Sequence, residues 1–384
     1  MTFNDEWAAN EDSLVREAGS LGDLFDRMDN TFSPMLFRDP ELSDLKSFAR
    51  HLPSTLAGFP LWLGFPIDGS LSAACLGVSL LGGTRSAALL KEQQLSEDAD
   101  PVAAVATKLL ERMVPQGSRL SRVAGNRVLL HYRVDAGRPG QVESSASLYP
   151  AHAALAGGGE DGCLEDFRLA IDALASVTGQ RPDEERRRHQ ERVFLAMEPD
   201  TRIGAIGAFP AGGGALRFTV LGFSSGEGVM SFLDRVGWNG RTAAVFDPLR
   251  RLETRGFLAG MQLGVQLDVT AAGVGVPLEV QIFSAATIYD DTGWFKEKGS
   301  WSKLMDGLRE EGFADPTKLP ELNNWSFSAK PIFGRSGILL LLQRIHHFAI
   351  MVNGEGVRRM NAHVFFLLSR WPRDAKGSGY PLSS

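Results

Sequence analysis

Apolar and polar residues alternate along this chain in short runs that come in pairs. The clearest pair is Met261 to Phe283, MQLGVQLDVTAAGVGVPLEVQIF. In its first run Met261, Leu263, Val265, Leu267 and Val269 alternate with Gln262, Gly264, Gln266 and Asp268. After a loop holding Gly273 and Gly275, the return run sets Leu278, Val280 and Ile282 against Glu279 and Gln281. A period of two with a glycine-bearing turn is the pattern of a β-hairpin. Successive strand side chains point to opposite faces, so this hairpin has one apolar face and one polar face.

Four further hairpins follow the same logic. The first spans Leu61 to Ile67 and Ala73 to Leu81 across Asp68-Gly69-Ser70, a turn sequence in which Asp-Gly tolerates positive φ. The second spans Asn126 to Val134 and Val142 to Tyr149, the third Arg202 to Phe209 and Leu216 to Phe223, and the last His346 to Asn353 and Arg359 to Leu367. Between them the period changes to that of helices. These are expected over Ser13 to Met28, Pro40 to Leu52 with Asp39 as N-cap, Thr84 to Gln94 and Asp100 to Met113. Others are expected over Leu164 to Val177, Pro182 to Met197, Gly226 to Val236, Asp247 to Arg255, Trp301 to Glu311 and Pro316 to Asn323. The run Glu184-Glu185-Arg186-Arg187-Arg188 reads as a solvated helix face. Residues 1–39 read as a helical extension, 40–368 as the body of a single domain, and 372–384 as a flexible tail.

Antiparallel hairpins separated by helices imply a sheet with helices over its apolar face. An open sheet would leave two edges to protect and a face in water, whereas closing ten strands into a barrel removes both edges. The fold class expected is therefore α+β, a closed antiparallel ten-stranded barrel surrounded by helices, with the polar face inside. The alternative is an open sheet whose polar face is solvated. In the barrel the inward residues are Arg127, His131, Arg133, Glu143, Tyr149, Arg217, Thr219, Gln262, Gln266, Asp268, Glu279, Gln281, His347, Asn361 and His363. A barrel of about eight strands is nearly filled by side chains, so ten leave room for a ligand.

The net charge of −6 gives no reason to expect a nucleic acid or an anionic membrane as partner. Any anion must be held locally, by the inward arginines. The acidic N-terminus lacks the pattern of a secretory signal, no apolar run is long enough to span a bilayer, and the two cysteines, Cys75 and Cys163, form no CxxC. A cytoplasmic protein is expected.

Five helix–hairpin units over roughly Pro40 to Leu368 resemble the ABBA-type (PT-barrel) aromatic and peptide prenyltransferases, whose fold is five α-β-β-α repeats. The resemblance is one of element order and number. It implies a donor, an allylic diphosphate, held by basic residues in the barrel, and an acceptor that is an aromatic small molecule or a peptide. Carried onto this chain, Arg127, His131, Arg133, Arg217, Gln262 and Gln266 would hold the diphosphate, the arginines by bidentate bonds. Glu143 or Glu279 would take the proton. Trp62, Phe65, Tyr149, Gln281, Phe283, His347, Asn361, His363 and Phe365 would line the acceptor or shield the allyl cation. No cofactor is implied for certain, Mg²⁺ being possible. The chain departs from fungal indole members in having no lysine on a predicted strand, four tyrosines in all, and no inward carboxylate on the first hairpin.

Other constellations compete. Gly222-Phe223-Ser224-Ser225-Gly226 matches the GxSxG of a serine hydrolase and stands between a strand and a helix; its bland reading is a helix cap. A barrel that only binds a small molecule or peptide is a third possibility. His346-His347 point to opposite faces, so the better metal pair is His347 with His363, with no dedicated ligand spacing behind it. Asp290-Asp291 reads as a loop or cap. No metal site is predicted.

Overall fold

The computed structural model of the chain describes residues 3–70, 73–94, 100–113, 117–135, 142–151, 154–158, 161–180, 183–210, 214–285, 301–326, 329–335 and 337–370. Its strands are β1 (Leu61–Pro66), β2 (Ala74–Leu81), β3 (Arg127–Val134), β4 (Val142–Leu148), β5 (Arg202–Ala208), β6 (Leu216–Phe223), β7 (Met261–Thr270), β8 (Gly273–Ser284), β9 (Ala329–Gly334), β10 (Gly337–Val352) and β11 (Val357–Arg370). They form one sheet in the order β11-β1-β2-β3-β4-β5-β6-β7-β8-β10-β9, and an additional β10–β11 pairing closes it. The closed ring is therefore the ten-stranded antiparallel barrel that the five hairpins imply. β9 stands outside the ring, paired with the first residues of β10 from Gly337 to Leu342. The last residues of β10, His347 to Val352, pair with β8 on one side and β11 on the other.

Twelve α-helices wrap the ring: α1 (Phe3–Glu17), α2 (Leu21–Arg27), α3 (Asp39–Ala49), α4 (Arg85–Gln93), α5 (Pro101–Met113), α6 (Arg119–Ala124), α7 (Asp161–Val177), α8 (Glu184–Leu195), α9 (Gly226–Val236), α10 (Thr242–Thr254), α11 (Trp301–Glu310) and α12 (Lys318–Ser326), counted over the described residues. The outward strand residues and the apolar helix faces form one continuous core. Phe218 of β6 lies against Phe167 of α7 at 5.7 Å, and Phe167 stacks on Phe194 of α8 at 4.8 Å. Tyr132 faces outward from β3 and donates its hydroxyl hydrogen bond to Asp100 at 2.8 Å.

Several expectations need correction. The helix expected over Ser13 to Met28 is two helices, because Ser20 caps α2: its hydroxyl accepts from Asp23 N at 3.0 Å while the Asp23 carboxylate accepts from Ser20 N at 3.1 Å. α1 docks on the barrel, with Asn10 Nδ2 donating to Leu368 O at 2.9 Å and the buried Glu11 carboxylate accepting from Arg85 N and Ser86 N, each at 3.0 Å. α10 starts at Thr242, ahead of the expected Asp247, and carries Pro248 inside it. The last hairpin starts at Gly337 instead of His346, and β9 was not expected, since Lys330 and Pro331 break its alternation. Phe65 has the opposite parity to Trp62 and so faces out, packed on Phe37 with centroids 4.6 Å apart; it shields nothing inside the barrel. Asp290-Asp291 and the 372–384 tail lie outside the described residues.

Candidate functional site

The register carries the expected inward residues round the ring. His363 pairs with Gly64, Gly64 with Cys75, Cys75 with Arg133 and Arg133 with Glu143. In the other half Arg217 pairs with Asp268, Thr219 with Gln266, and Gln266 with Glu279; Phe283 pairs with His347, and His347 with His363. Four inward glycines, Gly64, Gly77, Gly207 and Gly264, make room for large neighbours. A Cβ on Gly77 would stand 1.9 Å from Trp62 Cε2, and one on Gly64 2.7 Å from His363 Cε1. Trp62 thus lies flat across β2. Gly77→Ala is expected to displace the indole and cost about 1–3 kcal/mol of stability through overpacking. Unfolding in denaturant alongside near-ultraviolet dichroism checks this, and an unaltered midpoint and spectrum would refute it.

The lumen divides along its axis. Toward the end marked by the turns of the first and last hairpins lie Arg133, Glu143, Arg217, Asp268 and Arg359. Arg217 holds Asp268 by a bidentate pair, Nε to Oδ1 at 2.7 Å and Nη2 to Oδ2 at 2.9 Å, with Glu143 Oε1 3.8 Å from Nη2. Burial works against the Arg217 charge, but the hydrogen bonds and charge of Asp268 outweigh it and raise the guanidinium pKa. Arg133 Nε donates to Asp135 at 3.3 Å. Arg359, inward by register with Met351, is pushed down by burial and then by the Arg133 charge. Sequence reasoning missed it, although its parity with Asn361 and His363 was available.

Arg127 does not join this group. It sits six residues from Arg133 on β3, roughly 20 Å along the strand, with its guanidinium 4.0 Å over the Tyr149 ring. The three arginines share a face without meeting at one anion.

Nearer the barrel's middle is a cluster of rings. His347 stacks between Phe283, at 4.8 Å and 28°, and His363, at 4.1 Å and 9°. His346, turned in beside His347 by the bulge of β10 and so not on the opposite face that strict alternation implies, packs on Phe365 at 4.1 Å and on Phe283 at 5.3 Å; Trp62 lies 6.1 Å from Phe365 and 6.4 Å from His131. Burial, with Arg217 and His363 adding to it, pushes His131 down to about 3. His347 and His346 lie well below the usual imidazole range and His363 is lowered too, burial leading in each case. These imidazoles are neutral near pH 7, so His131 brings no charge to a diphosphate.

Beside the rings lies Glu279, 7% exposed, accepting from Gln281 Nε2 at 2.6 Å. His347 Nε2 is 3.9 Å from its Oε1, but with the imidazole neutral this contact is not an ion pair. His347 Nε2 and both ring nitrogens of His363 find no hydrogen-bond partner among the described residues, an arrangement that costs about 1–3 kcal/mol for each unsatisfied group. Asn361 is buried beside them, and Gln262 faces inward opposite Phe283. Cys75, also inward, has its thiol pushed up to about 12 by burial, which keeps it protonated.

The hydrolase motif dissolves into packing. Ser225 caps α9, accepting from Gly228 N at 3.2 Å, and Gly222 has a φ of +105° with Asp200 O where a Cβ would need to be, at 2.5 Å. The sheet is antiparallel throughout its described pairings, not the mostly parallel sheet of a nucleophile elbow. No helix among the described residues is long and apolar enough to cross a membrane.

A closed ten-stranded antiparallel barrel, wrapped by helices and polar within, is the architecture of the ABBA prenyltransferases, and solved structures bear out that fold. The chain is similar to 6-dimethylallyltryptophan synthase from Micromonospora olivasterospora, solved in complex with DMASPP and Trp, with TM-score 0.51 and 11% identity over 91% of this chain and 97% of that one. It is similar to AnaPT from Neosartorya fischeri at TM-score 0.50 and 12% identity, covering 95% and 94% of the two chains. NotF prenyltransferase gives TM-score 0.51 and 11% identity over 90% and 92%. No family model matches the sequence, and no curated protein does.

Proposed function

We propose that this chain transfers an allylic group from an allylic diphosphate to an aromatic acceptor inside the barrel. The observation that carries the reading is the division of the lumen: arginines gathered toward one end, and a buried carboxylate among neutral rings at the middle. The donor's diphosphate rests on Arg133, Arg217 and Arg359, with Gln266 beside them. Arg217 uses two of its five N–H donors on Asp268 and keeps others for the ligand. Arg359, its charge disfavoured by burial and then by Arg133, is relieved by an anion beside it.

The allylic C–O bond breaks with its electron pair leaving on the diphosphate. The electron-rich ring of the acceptor supplies the pair for the new C–C bond, and the resulting cation loses its ring proton to Glu279. Trp62, Phe283 and Phe365 shield the developing cation with their π faces. The depressed basicity of His131, His346 and His347 serves the same end, since imidazolium ions there would repel the cation. Glu143 is the weaker choice of base because its side chain is 52% exposed and close to Arg217. Arg127, over Tyr149, has no part in this donor site.

The relative solved with DMASPP and Trp suggests the first substrates to try. The purified chain is expected to convert dimethylallyl diphosphate and tryptophan, or a tryptophan-containing cyclic dipeptide or linear peptide, to a product carrying one added dimethylallyl group, followed by mass spectrometry with and without Mg²⁺. Absence of both product and saturable donor binding would sink the proposal. Binding without product across all acceptor classes would favour a barrel that only binds.

A further inference from the structure

Glu279, His347 and His363 bring one carboxylate oxygen and two imidazole nitrogens within 4.8 Å of one another, and all three residues are more than nine-tenths buried. We propose that they form a binding site for a divalent transition metal of the zinc and ferrous-iron class within the barrel.

Burial alone would not carry this, because buried histidines are ordinarily satisfied by hydrogen bonds. Here His347 Nε2 and both nitrogens of His363 are left without partners among the described residues, and His347 Nε2 faces Glu279 Oε1 at 3.9 Å. A metal ion would engage both imidazole lone pairs and the carboxylate at once, whereas a single buried water has two O–H donors for these three acceptors. The surrounding contacts hold the ligands for that purpose. His346 Nδ1 lies 2.7 Å from His347 Nδ1, so a proton on His347 Nδ1 leaves the Nε2 lone pair facing the site. Such a support behind a ligating histidine fixes both its tautomer and its ring. Gln281 Nε2 holds Glu279 Oε1 at 2.6 Å, and Phe283 stacks on His347.

The donor set selects the ion. Two imidazoles with one carboxylate suit Zn²⁺ or Fe²⁺, whereas Mg²⁺ and Ca²⁺ prefer oxygen ligands throughout. Metal–nitrogen bonds of about 2.0–2.1 Å need the ligand atoms to approach more closely, and the nearly parallel imidazoles to tilt toward each other. Three protein ligands leave a coordination position for water or another ligand. The site stands on these contacts and does not depend on the transfer reaction; a bound dication would occupy the carboxylate that takes the proton and repel an allyl cation in the same lumen, so the metal-loaded protein is a form that does not carry out the transfer.

The test uses the full chain, free of any affinity tag and stripped with chelator. Zn²⁺ is titrated by calorimetry and Co²⁺ by visible absorption, for the wild type and for Glu279→Gln, His347→Gln and His363→Gln, with His51→Ala on the surface as control. One equivalent of Zn²⁺ is expected, with affinity falling by about a hundredfold or more in each lumen variant and unchanged in the control. Co²⁺ should give the visible bands of nitrogen and oxygen coordination. Should the variants misfold, the wild-type cobalt spectrum decides. No saturable binding at one per chain, no cobalt bands, or folded lumen variants that bind as tightly as the wild type would each overturn the proposal.

Discussion

Glu279→Gln is expected to lower the transfer rate by about 10²–10⁴-fold, the usual worth of a positioned general base, while donor affinity changes little. Glutamine keeps the length and shape of the side chain and its contact with Gln281, so the effect isolates the proton acceptor. Glu279 is chosen on geometry: it is 7% exposed and lies 3.9 Å from a neutral imidazole. Glu143→Gln should cost less, since that carboxylate is half in solvent and 3.8 Å from Arg217. The measurement is kcat at saturating donor together with donor Kd from tryptophan fluorescence. A nearly unaltered rate in Glu279→Gln with a collapsed one in Glu143→Gln would transfer the role to the outer carboxylate.

Arg217→Met is expected to weaken dimethylallyl diphosphate binding by about ten- to a hundredfold. Hydrogen bonds to charged groups contribute roughly 1.5–3 kcal/mol, and each 1.4 kcal/mol is about tenfold in affinity. Methionine preserves much of the stem, but it leaves Asp268 without its bidentate partner. Part of any loss would then be repulsion between that carboxylate and the diphosphate. The companion variant Arg217→Met/Asp268→Asn removes both charges, and it should recover some affinity without reaching the wild type. Calorimetry with inorganic diphosphate and with the allylic donor separates the headgroup from the chain. Wild-type affinity in a folded Arg217→Met protein would remove Arg217 from the donor site.

The outer and inner faces of the barrel were legible because strand side chains alternate with a period of two. Leu263, Val265 and Leu267 meet the helices while Gln262, Gln266 and Asp268 face in, as their positions along the run require. Two exceptions show the limits of local reading. Phe65 entered the set of cation-shielding rings by its chemistry, against its parity with Trp62. β9 was missed because Lys330 and Pro331 carry no alternation, and its strand exists only through pairing with the extended start of β10.

The sequence by itself therefore determined the five hairpins, the helices between them, the ten strands available for a ring and, through parity, which side chains enter the lumen. Tertiary structure alone decided which side chains of different strands lie at the same level along the axis. Parity is a local property of one strand, whereas axial position depends on register between strands and on closure of β10 against β11. The separation of Arg127 and Arg133, six residues apart on one strand, follows from the rise per residue and was legible too; register decides which residues of other strands each one meets, as Arg133 meets Cys75 and Glu143. Register and closure are also why Glu279, His347 and His363, taken from three strands in the last third of the chain, converge within a single site.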